Sequence, residues 1–138
     1  MTGALRYLLD TNILSDLLRA PAGACAKRLA RVGESAVATS IIVACELRYG
    51  VAKKGSPALA ARVDAMLEAL PVLPFDADAD RHYGAIRCAL EASGTPIGAN
   101  DLLIAAHARA LGLTLVTDKE REFRCVPQLK LMNWLARV

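Results

Sequence analysis

Four acidic residues have types and positions that could gather chemistry: Asp10, Glu46, Asp101 and Asp118. Asp10 follows the short apolar run Leu5–Leu9, and Asp118 follows Leu113–Thr117. Brief apolar runs ended by turn-like segments read as buried strands. Ligands of open parallel sheets bind beyond the carboxyl ends of such strands, which is where these two acids fall. Glu46 and Asp101 lie instead in helical stretches. On a helix Glu46 shares its face with Ile42, Val43, Tyr49 and Gly50, while Arg48 points about 160° away and cannot neutralise it locally. Asp101 has Ile104 and Ala105 on its own face, and the LLIAAHA segment behind it is apolar on nearly every side. A carboxylate so placed must protonate, find water or find a distant cation. Carboxylates within about 4–6 Å of one another raise each other's pKa unless a cation joins them. Oxygen donors without nearby His or Cys select hard ions such as Mg²⁺ or Mn²⁺. Such an ion can stabilise the charge of a phosphoryl displacement and make water more acidic.

Each acid also has a plain structural reading. Asp10 can cap the next helix, and Asp101 in a first turn suits the helix dipole. Glu46 can be a buried acid paired with a distant arginine. Asp118, followed by Lys119, Arg121 and Arg124, can sit in a solvated turn with surface ion pairs. Four acids converging on one place is harder to explain that way. His82 and His107 fit no ligand set and read as surface or partly buried residues. The stretch Asp76, Asp78, Asp80 imitates the start of a calcium loop. Arg81 stands where that loop needs glycine and Arg87 where it needs glutamate, so the acids read as charge at a helix N-terminus.

The elements that must position these acids follow from the apolar pattern. After the first strand, Ile13–Arg19 is helical with Thr11 or Asn12 as cap, then Ala22–Val32. Ala36–Thr39 is a second strand, and Ser40 caps a helix running to about Lys54, broken by Gly55-Ser56-Pro57. Leu59, Val63, Met66 or Leu67, and Leu70 recur at helical spacing up to Pro71. Val72–Phe75 is strand-like, Asp76 opens a helix to about Ser93, and Asn100 caps a helix over Asp101–Leu111. Leu113–Thr117 is the clearest strand, and Lys130–Trp134 offers a short last one. Strands alternating with helices predict an α/β fold with a parallel sheet covered on both faces. Without an internal repeat, linker or charge block, residues 1–138 read as one domain.

Composition narrows the function. With 54% hydrophobic and 22% charged residues the chain can bury a core and is not a disordered one. Aromatics make up 4%, too few for a surface that works by many stacked bases. The longest uncharged apolar-rich run, Ser35–Cys45, is well short of the roughly 20 residues that span a membrane. The N-terminus lacks a secretory pattern, so the cytoplasm is the expected compartment. A net charge of +3 permits an anionic partner without demanding one. Cys25, Cys45, Cys88 and Cys125 have no zinc or redox spacing and read as free thiols.

Four ordered blocks carry a family resemblance: YLLDTNILSDLL at 7–18, ACELRYG at 44–50, IGANDLLIAAHARALGLTLVTDKEREF at 97–123 and VPQLKLMNWL at 126–135. Together they resemble PIN-domain proteins, and among them the VapC-like toxins of bacterial toxin–antitoxin pairs. The resemblance implies a three-layer α/β sandwich whose central parallel sheet has about five strands flanked by helices. It implies an endoribonuclease dependent on Mg²⁺ or Mn²⁺, with Asp10, Glu46 and Asp101 as metal-binding acids and Asp118 as the fourth. Many relatives have Asn or Asp at both places after the threonine that is Thr117 here, and this chain has Asp118 then Lys119. It also implies an RNA substrate (tRNA or rRNA), a homodimer, and a VapB-like antitoxin through which alone operator DNA is bound.

On this reading the acids hold one or two ions against an RNA phosphate while a carboxylate aligns the attacking water. Asp10 and Asp101 would be direct ligands, Glu46 a ligand or water-orienting base, and Asp118 a ligand, directly or through water. Thr11 and Ser40 would support them. Arg19, Arg48, Lys53 and Lys54 could guide the RNA backbone or could simply be solvated helix faces. Two other functions compete. A haloacid-dehalogenase-like phosphatase would also place an aspartate after the first strand, but it needs a second acid where Asn12 stands. A catalytically silent PIN-type binding module would have little use for the full set of acids.

Overall fold

A computed structural model of the chain describes residues 4–135. Five strands form one sheet: β1 (Tyr7–Leu9), β2 (Val37–Ser40), β3 (Val72–Leu73), β4 (Thr114–Val116) and β5 (Leu131–Met132). Their order is β3-β2-β1-β4-β5, and every pairing is parallel. Seven α-helices among the described residues flank it: α1 (Thr11–Arg19), α2 (Ala24–Val32), α3 (Ile41–Lys54), α4 (Pro57–Ala69), α5 (Ala79–Ala92), α6 (Ala99–Leu111) and α7 (Glu120–Phe123).

The central strands are apolar on both faces, as a covered parallel sheet demands. Tyr7, Leu8 and Leu9 are buried, with Val37 and Ala38 on one neighbouring strand and Leu115 and Val116 on the other. Helical residues Ile13, Leu14, Val43, Ile86, Leu90 and Ile104 complete this core, and Trp134 meets Tyr7 edge-on with ring centroids 5.6 Å apart. The strand order reverses between β1 and β4, because the chain first builds outward through β2 and β3 and then returns to the other side of β1. Such a reversal opens a crevice at the carboxyl ends of the two strands. Asp10 and Thr117 stand immediately beyond β1 and β4.

Several boundaries differ from the sequence expectation. The edge strands β3 and β5 shrink to two residues each, since each pairs on one side only. Helix α1 begins at Thr11 rather than being capped by Thr11 or Asn12, and Asp10 is its cap, accepting from the Thr11 amide at 2.8 Å. Asn100 likewise lies inside α6, whose cap position is Gly98, so its side chain is free to do something else. Helix α5 starts at Ala79, after Asp78 turns the chain at φ +75°. The short helix α7 was not foreseen, because EREF has no apolar period to announce it. His82 is partly buried, as expected, accepting from Arg109 Nε at 2.8 Å, whereas His107 is fully buried. All four cysteines are free, Cys25 buried and the other three exposed.

Candidate active site

Asp10 is 1% exposed, yet its carboxylate is fully engaged. Oδ1 accepts from the Thr11 amide at 2.8 Å, and Oδ2 accepts from the Thr117 hydroxyl at 2.8 Å and the Asn12 amide group at 3.3 Å. The strands themselves fix this arrangement. The Asp10 amide donates to the Val116 carbonyl at 2.9 Å, continuing the β1–β4 ladder one residue past the sheet and bringing Thr117 alongside. Asn12 ties the same two loops together from the other side, its Oδ1 accepting from the Asp118 amide at 2.8 Å.

Glu46 arrives on α3, whose start is set by Ser40. The Ser40 hydroxyl accepts from the Ile42 amide at 3.0 Å and is 2.8 Å from His107 Nδ1 in the core. Ser40 therefore touches no carboxylate and acts by anchoring the helix that carries one. Glu46 Oε1 accepts from the Thr11 hydroxyl and Oε2 from Asn100 Nδ2 at 3.4 Å. As the helical geometry required, Arg48 turns away and pairs with Asp64. Asp101, in the first turn of α6 and largely buried, is met by Lys119, whose Nζ lies 3.3 Å from both carboxylate oxygens. Lys119 in turn is held by its backbone amide, which donates to the Thr117 hydroxyl at 3.0 Å.

Asp10, Glu46 and Asp101 thus converge through Thr11, Asn100, Asn12 and Lys119. These four bridging residues, with Cys45, Glu46 and Tyr49, line an open concavity of about 520 Å³. Asp118 differs. Its side chain is exposed, and Oδ1 accepts from Asn133 Nδ2 at 3.3 Å. The expected basic rim divides as well. Arg19 pairs with Asp16 at 3.4 Å, and Lys53 Nζ lies 5.9 Å from the Tyr49 ring centre. Arg19 and Lys54, joined by Arg62, line an adjoining groove of about 340 Å³ that shares Thr11 and Glu46.

Electrostatics follow from burial. Desolvation pushes the Asp10 carboxyl above its ordinary range, helped by the charge of Glu46, against the opposing effect of Thr117, the Thr11 amide and Lys119. Asp101 is raised for the same reason, and the charge of Asp10 adds to the effect while Lys119 opposes it. Burial works to lower the Lys119 ammonium, but Asp101, Asp10 and Glu46 outweigh it and leave its pKa above the usual lysine value. Among the described residues no group of three Asp, Glu, His or Cys side chains is placed to hold a metal ion. The donor chemistry nevertheless fits a hard divalent cation: all oxygen, partly buried, and short of positive charge.

Sequence reasoning missed Thr117, Asn12 and Asn100 as contacts of the acids. Each stands within two residues of one of the four acids, and that adjacency was the available signal.

Comparison with known proteins identifies the family of the chain. The PIN domain family pattern matches residues 7–128. Ribonuclease VapC2 of Rickettsia felis is 39% identical over 130 residues, covering 93% of this chain and 97% of that protein. The tRNA(fMet)-specific endonuclease VapC of Shigella flexneri is 34% identical over 131 residues, covering 94% of this chain and 98% of its own. Among solved structures, DNA-bound VapBC from Salmonella typhimurium superposes with a TM-score of 0.87 at 34% identity, over 95% of this chain and 99% of that one. The family match and the near-full-length similarity to VapC ribonucleases show the same thing: the chain belongs to the PIN-domain family, alongside the VapC ribonucleases.

Proposed function

We propose that this chain is the endoribonuclease toxin of a toxin–antitoxin pair, hydrolysing phosphodiester bonds of RNA with Mg²⁺ or Mn²⁺ held by Asp10, Glu46 and Asp101. What supports the metal site is that Asp10, Glu46 and Asp101 stand near enough at the β1–β4 crevice for the charge of Glu46 to act on Asp10 and that of Asp10 on Asp101, both of which have raised pKa. Bound there, the divalent ion supplies Lewis-acid stabilisation of phosphate charge and a more acidic water. The chain's own residues do the rest. Asp10 and Asp101, the more buried pair, would hold the ion, and Glu46, on the concavity wall, would join them as a ligand or orient the attacking water and accept its proton. Thr117 and the Thr11 amide fix Asp10, while Asn100 and the Thr11 hydroxyl fix Glu46. Asp118 contributes from the exposed rim, where its backbone is anchored by Asn12.

Transfer RNA is the favoured substrate class, in keeping with the name of the Shigella flexneri relative. Tyr49, 67% exposed at the lip of the concavity, offers one ring face on which an unpaired base of an RNA loop can stack. A VapB-like antitoxin neutralises the enzyme, and operator DNA is bound through that complex, as in the DNA-bound VapBC structure. No helix among the described residues is long and apolar enough to cross a membrane. A phosphatase reading gains nothing from the geometry, because Asn12 is committed at both ends of its amide.

The test is cleavage of purified tRNA by the isolated protein. Cleavage should require Mn²⁺ or Mg²⁺, stop with EDTA, and fall below detection in Asp10→Asn and Asp101→Asn proteins that keep parental circular dichroism. Parental cutting rates in EDTA, or by either variant, would remove the metal-site assignment.

A further inference from the structure

Lys119 is the one cation bonded directly to a carboxylate of the site among the described residues. Its ammonium stands 3.3 Å from each oxygen of Asp101, so it covers both donor atoms of that side chain at once. The position is built: the Lys119 backbone is tied to Thr117, which also holds Asp10, and the residue caps the start of α7. At the same time the side chain is 44% exposed, against 9% for Asp101, and lines the concavity with Glu46 and Asn100. A lysine is a flexible point charge with no fixed fork geometry, so it can let go of a carboxylate and return to water at low cost.

We infer that Lys119 is the site's own counter-cation and competes with the divalent ion for Asp101, so that the ion enters only as the ammonium leaves. The inference rests on the metal-site reading given above. Three carboxylates around one crevice need positive charge in the metal-free protein, and Lys119 supplies it from within the chain. An ion binding Asp101 must use the oxygens that the ammonium now covers, and two cations a few ångströms apart repel strongly in a partly desolvated site. Lys119 therefore sets how much divalent ion the enzyme needs before it can act.

The experiment is a Mn²⁺ titration of the metal-free full chain, followed by the electron paramagnetic resonance signal of free Mn²⁺. Parent, Lys119→Met, Lys119→Gln and Asp101→Asn proteins are compared, each checked for folding by circular dichroism. Both lysine variants should bind Mn²⁺ about tenfold more tightly than the parent, and Asp101→Asn should bind far more weakly. If the parent binds Mn²⁺ and both lysine variants bind with equal or lower affinity, the competition is overturned while the metal site stands. If the parent takes up no Mn²⁺ that Asp101→Asn loses, the metal site itself fails, and this inference with it.

Discussion

The Thr117 hydroxyl donates to Asp10 and accepts from the Lys119 amide, so one small side chain joins the acid after β1 to the loop after β4. It is fully buried, and so is nearly all of Asp10. A hydrogen bond to a buried carboxylate is worth about 1.5–3 kcal/mol, because no water replaces it when it is lost. Valine has the shape of threonine and cannot make the bond. Thr117→Val should therefore lower the cleavage rate by roughly tenfold to a hundredfold and weaken Mn²⁺ binding, since Asp10 would lose a donor that fixes its orientation. Thr117→Ser, which keeps the hydroxyl, should recover most of both. Single-turnover cleavage and Mn²⁺ titration of the two variants check this; a valine variant that cleaves RNA and binds Mn²⁺ like the parent would show that the bond does not matter.

At the scale of elements, α3 shows what can be read from sequence. Ser40 as cap and Gly55 as stop are local signals, and the helix runs between them, ending at Gly55 with φ +66°. The central strands β1 and β4 were legible because they are short, apolar and soon followed by an acid. Edge strands were read too long, since sequence shows apolar residues but not how few pairing partners an edge has. Asp10, Glu46 and Asp101 stood out as carboxylates in apolar company. The Lys119–Asp101 contact did not, because it joins residues 18 apart on different elements and depends on side-chain direction. Nor did the link from Ser40 to His107, which spans 67 residues and locks α3 to α6. Burial pushes the His107 pKa below its ordinary 6.5, outweighing the Pro74 carbonyl and the charge of Asp76. The folded protein thus keeps this imidazole neutral where the unfolded chain protonates it. Its contribution to stability is complete above pH 6.5 and is lost as pH falls from there toward the lowered folded value. Urea unfolding at pH 7.5 and pH 5.5, chosen as roughly one unit on either side of the ordinary value, should show this loss in the parent and much less of it in His107→Gln. Ser40→Ala should cost about 1 kcal/mol for the cap and a further 1–3 kcal/mol for the imidazole nitrogen left without its partner.

For the whole molecule, the topology that makes the site also burdens the fold. Placing β1 between β2 and β4 sends Asp10, the helix bearing Glu46 and the loop bearing Lys119 to the same edge of the sheet. Like charges are thereby concentrated where water is scarce. Asp10 and Asp101 have raised pKa values, so the stability they confer is fully present below the ordinary 3.8 and is lost as pH rises through their folded values. At neutral pH they are a liability that one lysine offsets only in part. A divalent ion that binds the folded chain and not the unfolded one should relieve it, adding about 2.7 kcal/mol at a free concentration one hundred times its Kd. In a domain of this length that corresponds to a rise of roughly 10 °C in melting temperature. The rise should grow with the logarithm of Mn²⁺ concentration, reverse on adding EDTA, and be absent from Asp10→Asn and Asp101→Asn. A melting temperature indifferent to the ion in the parent, or an equal rise in the two variants, would mean that the ion binds elsewhere or not at all. Because melting reports binding without any RNA, it separates the ion's place in the fold from its part in cleavage.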